Sequence, residues 1–235
     1  LFDDLTAALI IHPSDRTMIG GTSYATHPLR VTFIGKAAHV ADKEYKGLNA
    51  LDSLVDFYKR LKELEETFDK PHLLGCIITE GGTAPNIVPD RATLKATVRA
   101  LDTDYLEDVM LPQIKELAVE VAKDHHTPVE TEHYEPLYKN MINNAALNVY
   151  FIEAFNALHE EFGVYEEEDA EGSTDVGNVS HVTRAAQPEI AIGYHINAHT
   201  PEFATAANSD FAYIQALTGA KAMAAVAAEV LFEKR

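Results

Sequence analysis

Residues 92–99 alternate strictly, with Ala92, Leu94, Ala96 and Val98 on one side of an extended chain and Thr93, Lys95, Thr97 and Arg99 on the other. Successive side chains of a strand point to opposite faces, so this stretch dictates a strand with one buried and one polar face, in a sheet covered on one side only. The neighbouring sequence supplies the cover. Leu48, Leu51, Leu54, Val55, Tyr58 and Leu61 recur at helical spacing, and so do Leu106, Val109, Met110, Ile114, Leu117 and Val121 behind the capping residues Asp102 to Asp104. Three further strands are expected: "RVTFIG" from Arg30, which opens like an edge strand, the apolar run "LLGCIIT" at 73–79, and "PVETEHY". The order βαββαβ predicts a ferredoxin-like sandwich over residues 28–136.

The flanks follow another pattern. After Pro136 the spacing predicts an amphipathic helix of about 20 residues ending at Gly163. An acidic loop, "YEEEDAEGSTD", short apolar runs such as "EIAIG" and a long Ala-rich helix starting near Asn208 or Ser209 complete the chain. Residues 1–27 hold one short apolar run, "ALII", expected to form a single strand. Residues 1–27 and 137–235 are therefore expected to build one α/β layer structure, interrupted by the 28–136 unit.

Charge narrows the partners. A net charge of −18 with no offsetting Lys/Arg cluster repels phosphate backbones and anionic lipid, which argues against nucleic acid and membrane surfaces. Charged residues at 24% and hydrophobic ones at 46% suit a globular chain. Cys76 is the sole cysteine, so no intrachain disulfide forms, as in a reducing compartment. No basic-then-apolar leader opens the sequence, and Lys221 and Glu229 interrupt the apolar tail, so the expectation is a cytoplasmic protein without a membrane span. The start at Leu1, inside an apolar run with no initiator Met, leads us to expect further sequence upstream.

Three loops concentrate residues that folding alone does not demand. "IIHPSDRT" puts His12 behind a buried strand, where it is either a solvated residue or one presented at a sheet's carboxyl edge. In "HINAHTPEF", His199 stands four residues after His195, yet Pro201 follows too closely for a two-His helical zinc motif, leaving a single loop ligand as the functional version. "EGSTDVGNVS" is either a turn or a loop whose backbone N–H groups hold an anion. Other chemistries fit worse. "GSTDVG" lacks the G-x-S-x-G order of a serine hydrolase, and neither "IGGTS" nor "EGGTAPN" is a phosphate-binding glycine motif. His72, His125, His126, His133, His159 and His181 follow no ligand spacing and read as solvated or core residues, and the Glu run at 166–168 reads as a solvated loop face.

Taken in order, "IIHPSDRT", "FIGKAAHVA…KGLNALD", "GGTAPNIVPDRATLKATVRA", "GSTDVGNVSHV" and "AHTPEFATAA" resemble the M20 family of metallopeptidases and amidohydrolases, nearest its aminobenzoyl-glutamate hydrolase and N-acyl amino acid or dipeptide amidohydrolase branch. The resemblance runs along essentially the whole chain. It implies a zinc-peptidase-like catalytic domain, here the partial one of 1–27 and 137–235, with a ferredoxin-like dimerisation lid, 28–136, inserted into it. It implies hydrolysis of an amide bond next to a free carboxylate, a small amide or dipeptide substrate, a homodimer, and a two-metal site holding zinc, with manganese or cobalt as alternatives.

Residue by residue, His12 and His199 match metal ligands. His39 matches a histidine that reaches from the lid of one subunit into the other's site to bind the oxyanion. Asn86 matches a substrate contact from the lid, Arg99 an arginine that binds the substrate carboxylate, and Gly172, Ser173 and Thr174 a loop that holds the carboxylate end. The chain departs from the family in lacking, ahead of His12, the other metal ligands and the adjacent glutamates that serve as base; Asp3, Asp4 and Asp15 sit in the wrong context, and Cys76 lies in a lid strand. A zinc site takes about three protein ligands plus water, so two histidines do not close one. The expectation is the C-terminal part of a hydrolase that is inactive alone, the alternative a non-catalytic dimerisation or ligand-binding module derived from that family.

Overall fold

The alternating stretch lies in a strand, Arg91–Ala100, whose Ala92, Leu94, Val98 and Ala100 are fully buried. In this computed structural model residues 4–42, 44, 46–166, 169, 170 and 172–233 are described. The expectations placed on Asp3, Glu167 and Glu168 fall outside those residues. In chain order the first segment carries β1 (Ala8–Leu9), β2 (His12–Ser14) and β3 (Met18–Ile19). The middle carries β4 (Ala25–Ile34), α1 (Ala50–Glu65), β5 (His72–Glu80), β6 (Arg91–Ala100), α2 (Thr103–Tyr105), a π-helical turn (Leu106–Met110), α3 (Leu111–Asp124) and β7 (Val129–His133). The last segment carries α4 (Ala145–Ala157), β8 (Gly163–Val164), α5 (Val176–Ser180), β9 (Ala185–Ala186), β10 (Glu189–Ala191), α6 (Pro201–Ala207) and α7 (Asp210–Phe232). Two compact units result, one of Tyr24–Tyr138 and one of the segments up to Ser23 and from Lys139.

The middle unit is a four-stranded antiparallel sheet in the order β5-β6-β4-β7. α1 and α3 pack on one face, where Phe33, Leu54, Phe57, Leu61, Leu94, Leu106 and Met110 are all fully buried. The Arg30 strand is not an edge as expected: Leu29 pairs with Ala96 on one side and His133 on the other, so β4 is interior and β5 and β7 are the edges. It also begins earlier, because Thr26 pairs with Arg99 and exchanges backbone bonds with Tyr138. Asn49 caps α1 by accepting from the Leu51 and Asp52 N–H groups. Gly35 ends β4 where the chain passes so close to Leu48 that a Cβ would lie 2.1 Å from its carbonyl oxygen, a place only glycine can fill.

The second unit holds two small sheets, β1-β9 and β2-β10-β3-β8. Ile19, Phe151, Phe155, Ala222 and Val226 form its core, with α4 against α7. "ALII" is thus not one strand of a simple sheet: pairing stops after Leu9 and resumes at His12, as β1 lies parallel to β9 and β2 parallel to β10. α4 has 13 residues rather than about 20, its end marked by His159 in the left-handed region at φ 57°. α7 starts where its cap predicts, with Ser209 Oγ accepting from Ala212 N–H. Among the described residues α7 is long and apolar enough to cross a membrane by length and composition, which the charge interruption argued against; one face, with Ala212, Gly219, Ala222 and Val226, is buried in this unit.

Candidate functional site

In the second unit the two histidines assigned to metal come together. β2 starts at His12, whose N–H donates to Pro188 O at 3.0 Å, and the parallel register sets it beside Glu189. His12 is therefore the first residue of a strand, not part of a loop behind one. His199 precedes α6 in the left-handed region at φ 62°, with Thr200 capping the helix and Pro201 opening it, so the chain turns just where a second helical ligand would be needed. Both line one cavity of about 510 Å³, and so do Gly172, Ser173 and Thr174. "GSTDVGNVS" is not all loop. α5 starts at Val176, whose N–H donates to Thr174 Oγ1, and the same hydroxyl donates to Gln187 Oε1 at 2.9 Å. Gly172, at φ 62°, has open space where a Cβ would be.

The lining brings in residues that the sequence did not single out. Tyr165 donates to Glu189 at 3.1 Å, and the Arg16 guanidinium stands over the Tyr165 ring at 5.6 Å. Ser23 lines the cavity with 4% of its surface exposed. None of these stands in a spacing that sequence reasoning can read, because the strand pairing alone assembles them. Among the described residues no group of three or more His, Cys, Asp or Glu side chains is placed to hold a metal ion. Two imidazoles are fewer donors than a zinc site takes, so the residues present do not by themselves fit the metal that the resemblance implies.

The middle unit gathers the other assigned residues. His39 bridges to Ile87, Val40 N–H donates to Asn86 O at 3.0 Å, and Val88 N–H donates to Ala38 O at 2.8 Å. His39 and Asn86 are thereby neighbours on two paired loop segments, both exposed. His39 Nδ1 accepts from Ala41 N–H at 3.2 Å, which puts the proton of the neutral ring on Nε2 and leaves that atom as a donor. Arg99 lies half-buried on the sheet face away from the helices, opposite Thr26 and Leu73, and its guanidinium has no hydrogen bond or ion pair among the described residues. Cys76 sits in β5, where burial pushes its thiol up, away from thiolate chemistry.

Residues 27–126 match the M20 peptidase dimerisation domain. The Xaa-Arg dipeptidase of Mus musculus is 32% identical over 239 residues, covering 99% of this chain and 54% of the relative. That of Homo sapiens is 31% identical over 235 residues, with 99% and 53% covered. The chain carries an M20 peptidase dimerisation domain. Its fold agrees with solved structures of low identity. An aminobenzoyl-glutamate utilization protein from Klebsiella pneumoniae aligns with a TM-score of 0.70 at 17% identity, covering 97% of this chain and 55% of that one. An amidase of the hydantoinase/carbamoylase family from Burkholderia multivorans aligns at 0.62 and 16%, covering 98% and 56%. The chain thus spans about half the length of the curated relatives it matches.

Proposed function

We propose that this M20 chain is part of a metal-dependent hydrolase that cleaves an amide bond next to a free carboxylate, in a dipeptide or an N-acyl amino acid. The observation that carries the reading is the assembly of His12, Gly172, Ser173, Thr174 and His199 around one cavity in a relative of Xaa-Arg dipeptidases. His12 and His199 would supply two ligands to a metal, zinc or else manganese or cobalt, whose chemistry when bound would be the activation of water. The remaining work belongs to the chain's own residues. The Tyr24–Tyr138 unit is a ferredoxin-like lid and dimerisation domain, and its His39 donates from Nε2–H to the oxyanion of the tetrahedral intermediate in the partner subunit's site, an interaction worth several kcal/mol, about 3, in a dry cleft. Asn86 Nδ2 donates to the substrate beside it. The Gly172–Thr174 loop holds the carboxylate and so fixes the scissile amide, and Arg99 is a carboxylate-binding arginine.

The shortage of metal donors among the described residues favours one second reading, a dimerising or ligand-binding module without chemistry. Titration with zinc and a panel of Xaa-Arg dipeptides and N-acyl amino acids separates the two. The 235-residue chain is expected to bind zinc weakly and to turn over none of them, whereas a form supplying the missing donors is expected to do so and to lose both metal and activity in His12→Ala/His199→Ala. If that form binds no metal or stays inactive, the module reading replaces the hydrolase.

A further inference from the structure

Among the described residues of the second unit, four polar side chains are nearly or fully out of solvent: Thr17, Ser23, Ser180 and Gln215. Three are satisfied. Thr17 Oγ1 donates to Glu160 and accepts from Ala191 N–H, Ser180 Oγ donates to Gly177 O and accepts from Ile142 N–H, and Gln215 Nε2 donates to Glu160. Ser23 Oγ, in a residue only 4% exposed, has no partner among the described residues. A buried hydroxyl without a hydrogen bond is costly, and native proteins keep few of them. The segment that carries it is not loosely held. Thr22 N–H donates to Asp169 O at 2.7 Å and Thr22 Oγ1 to Met141 O at 2.6 Å, while Gly21 passes so close that a Cβ would stand 3.0 Å from Asp169 O. Ser23 is therefore fixed on the wall of the cavity with its hydroxyl unused. Ser173, on the same lining, has a second buried hydroxyl in the same condition.

We propose that Ser23 is a substrate-binding residue of this cavity, its hydroxyl donating, together with that of Ser173, to the carboxylate of an amino-acid or dipeptide ligand. The choice of a carboxylate rests on the hydrolase reading given above; the choice of Ser23 rests on its burial and its unused hydroxyl. Two neutral donors on a lining that also carries Arg16 suit an oxyanion. Asp15, Asp169 and Glu189 line the cavity as well, which suits a ligand whose charge is balanced by its own cation. A volume of about 510 Å³ is of the size that such small ligands occupy.

The test is calorimetric titration of the full chain with glycyl-arginine and with its C-terminal amide. Wild type is expected to bind the acid more tightly than the amide. Ser23→Ala is expected to weaken the acid about tenfold, to leave the amide unchanged and to melt no lower than wild type, since the hydroxyl it removes bonds nothing in the fold. Ser173→Ala gives the same pattern. Equal affinity of Ser23→Ala and wild type for the acid overturns the proposal, because solvent or another segment then satisfies the hydroxyl. So does a fall in melting temperature that accompanies the loss of affinity, or a wild-type chain that binds neither probe. None of these readouts needs turnover, so if the chain binds glycyl-arginine through Ser23 while a form supplying the missing metal donors stays inactive, this inference stands and only the hydrolase reading is removed.

Discussion

His27 carries a proton-linked cost that the Tyr24–Tyr138 unit has to bear. Its side chain is 5% exposed, its Nε2–H donates to Glu107 at 3.3 Å, its Nδ1 has no partner among the described residues, and its ring meets His133 edge-on at 5.1 Å. Burial holds the imidazole below its ordinary value, helped by His133 and Lys115 and opposed by the bond to Glu107. Burial does the same to His133, with Lys115 assisting. A histidine depressed in the folded state binds fewer protons there than in the unfolded chain, so the stability it contributes is complete above about pH 6.5 and is lost as pH falls from there through the folded value. Urea midpoints measured from pH 7.5 down to 5 are expected to fall, and His27→Gln to flatten part of that fall; an identical pH profile in the variant would show that the buried imidazole is not the cause. His39 differs in being exposed, with its tautomer set by one backbone bond from Ala41.

At the scale of elements, the helix that follows β6 depends on one carboxylate. Asp102 Oδ1 accepts from Tyr105 N–H at 3.1 Å and Oδ2 accepts from Lys70 at 2.6 Å, and the Lys70 ammonium beside it is the main reason its carboxyl is held below the usual range. The cap is the stronger contribution, since an ion pair at 49% and 44% exposure is screened by water. Asp102→Ala is expected to lower the unfolding free energy by about 1 kcal/mol, and Lys70→Ala by clearly less, in chemical denaturation. If the two variants cost the same, the ion pair and not the cap holds the turn. Behind the cap, the π-helical turn Leu106–Met110 buries Leu106 and Met110 and carries the Glu107 that reaches His27. A single wide turn leaves the apolar spacing nearly unchanged, which is why the 3.6-residue pattern predicts the helix but not the turn.

At the scale of the whole molecule, the edge strand β5 leaves Leu73 and Ile77 exposed on the sheet face away from the helices, and α1 exposes Val55 and Tyr58. An unprotected edge with apolar neighbours is a place for pairing with a second copy. Sedimentation of the full chain at tens of micromolar, a threshold for a modest interface, is expected to show a dimer that Ile77→Asp dissociates; a monomer at that concentration would remove the homodimer from the proposal. In an active form of the proposed hydrolase, mixing a His39→Ala subunit with a His12→Ala subunit is expected to restore about a quarter of wild-type activity, since half the dimers are mixed and each has one working site. No recovery after proven subunit exchange would place the action of His39 within its own subunit or nowhere.

The sequence by itself determined what depends on neighbours a few residues away. Strict alternation at 92–99, helical spacing from Leu48 and Leu106, and the caps Asp102 and Ser209 specify backbone conformation locally, so the order of the middle unit and the start of α7 were legible. Pairing between distant segments was decided only in three dimensions. That the strand from Ala25 is interior and not an edge, that only Ala8 and Leu9 of "ALII" form a strand while the next begins at His12 in another sheet, and that a helix begins inside "GSTDVGNVS" all depend on partners far along the chain. The site divides in the same way. Motif order pointed to His12, His39, Asn86, Arg99, Gly172–Thr174 and His199 separately, but only the β2-β10 register and the loop bridge at Ile87 bring His12 to the cavity of His199 and His39 to Asn86. Ser23 had no signal at all. A serine before a strand is ordinary in sequence, and its burial and unused hydroxyl exist only once Thr22 is tied to Asp169 and Met141, because the hydrogen-bond account of a side chain closes only when its whole surrounding is assembled.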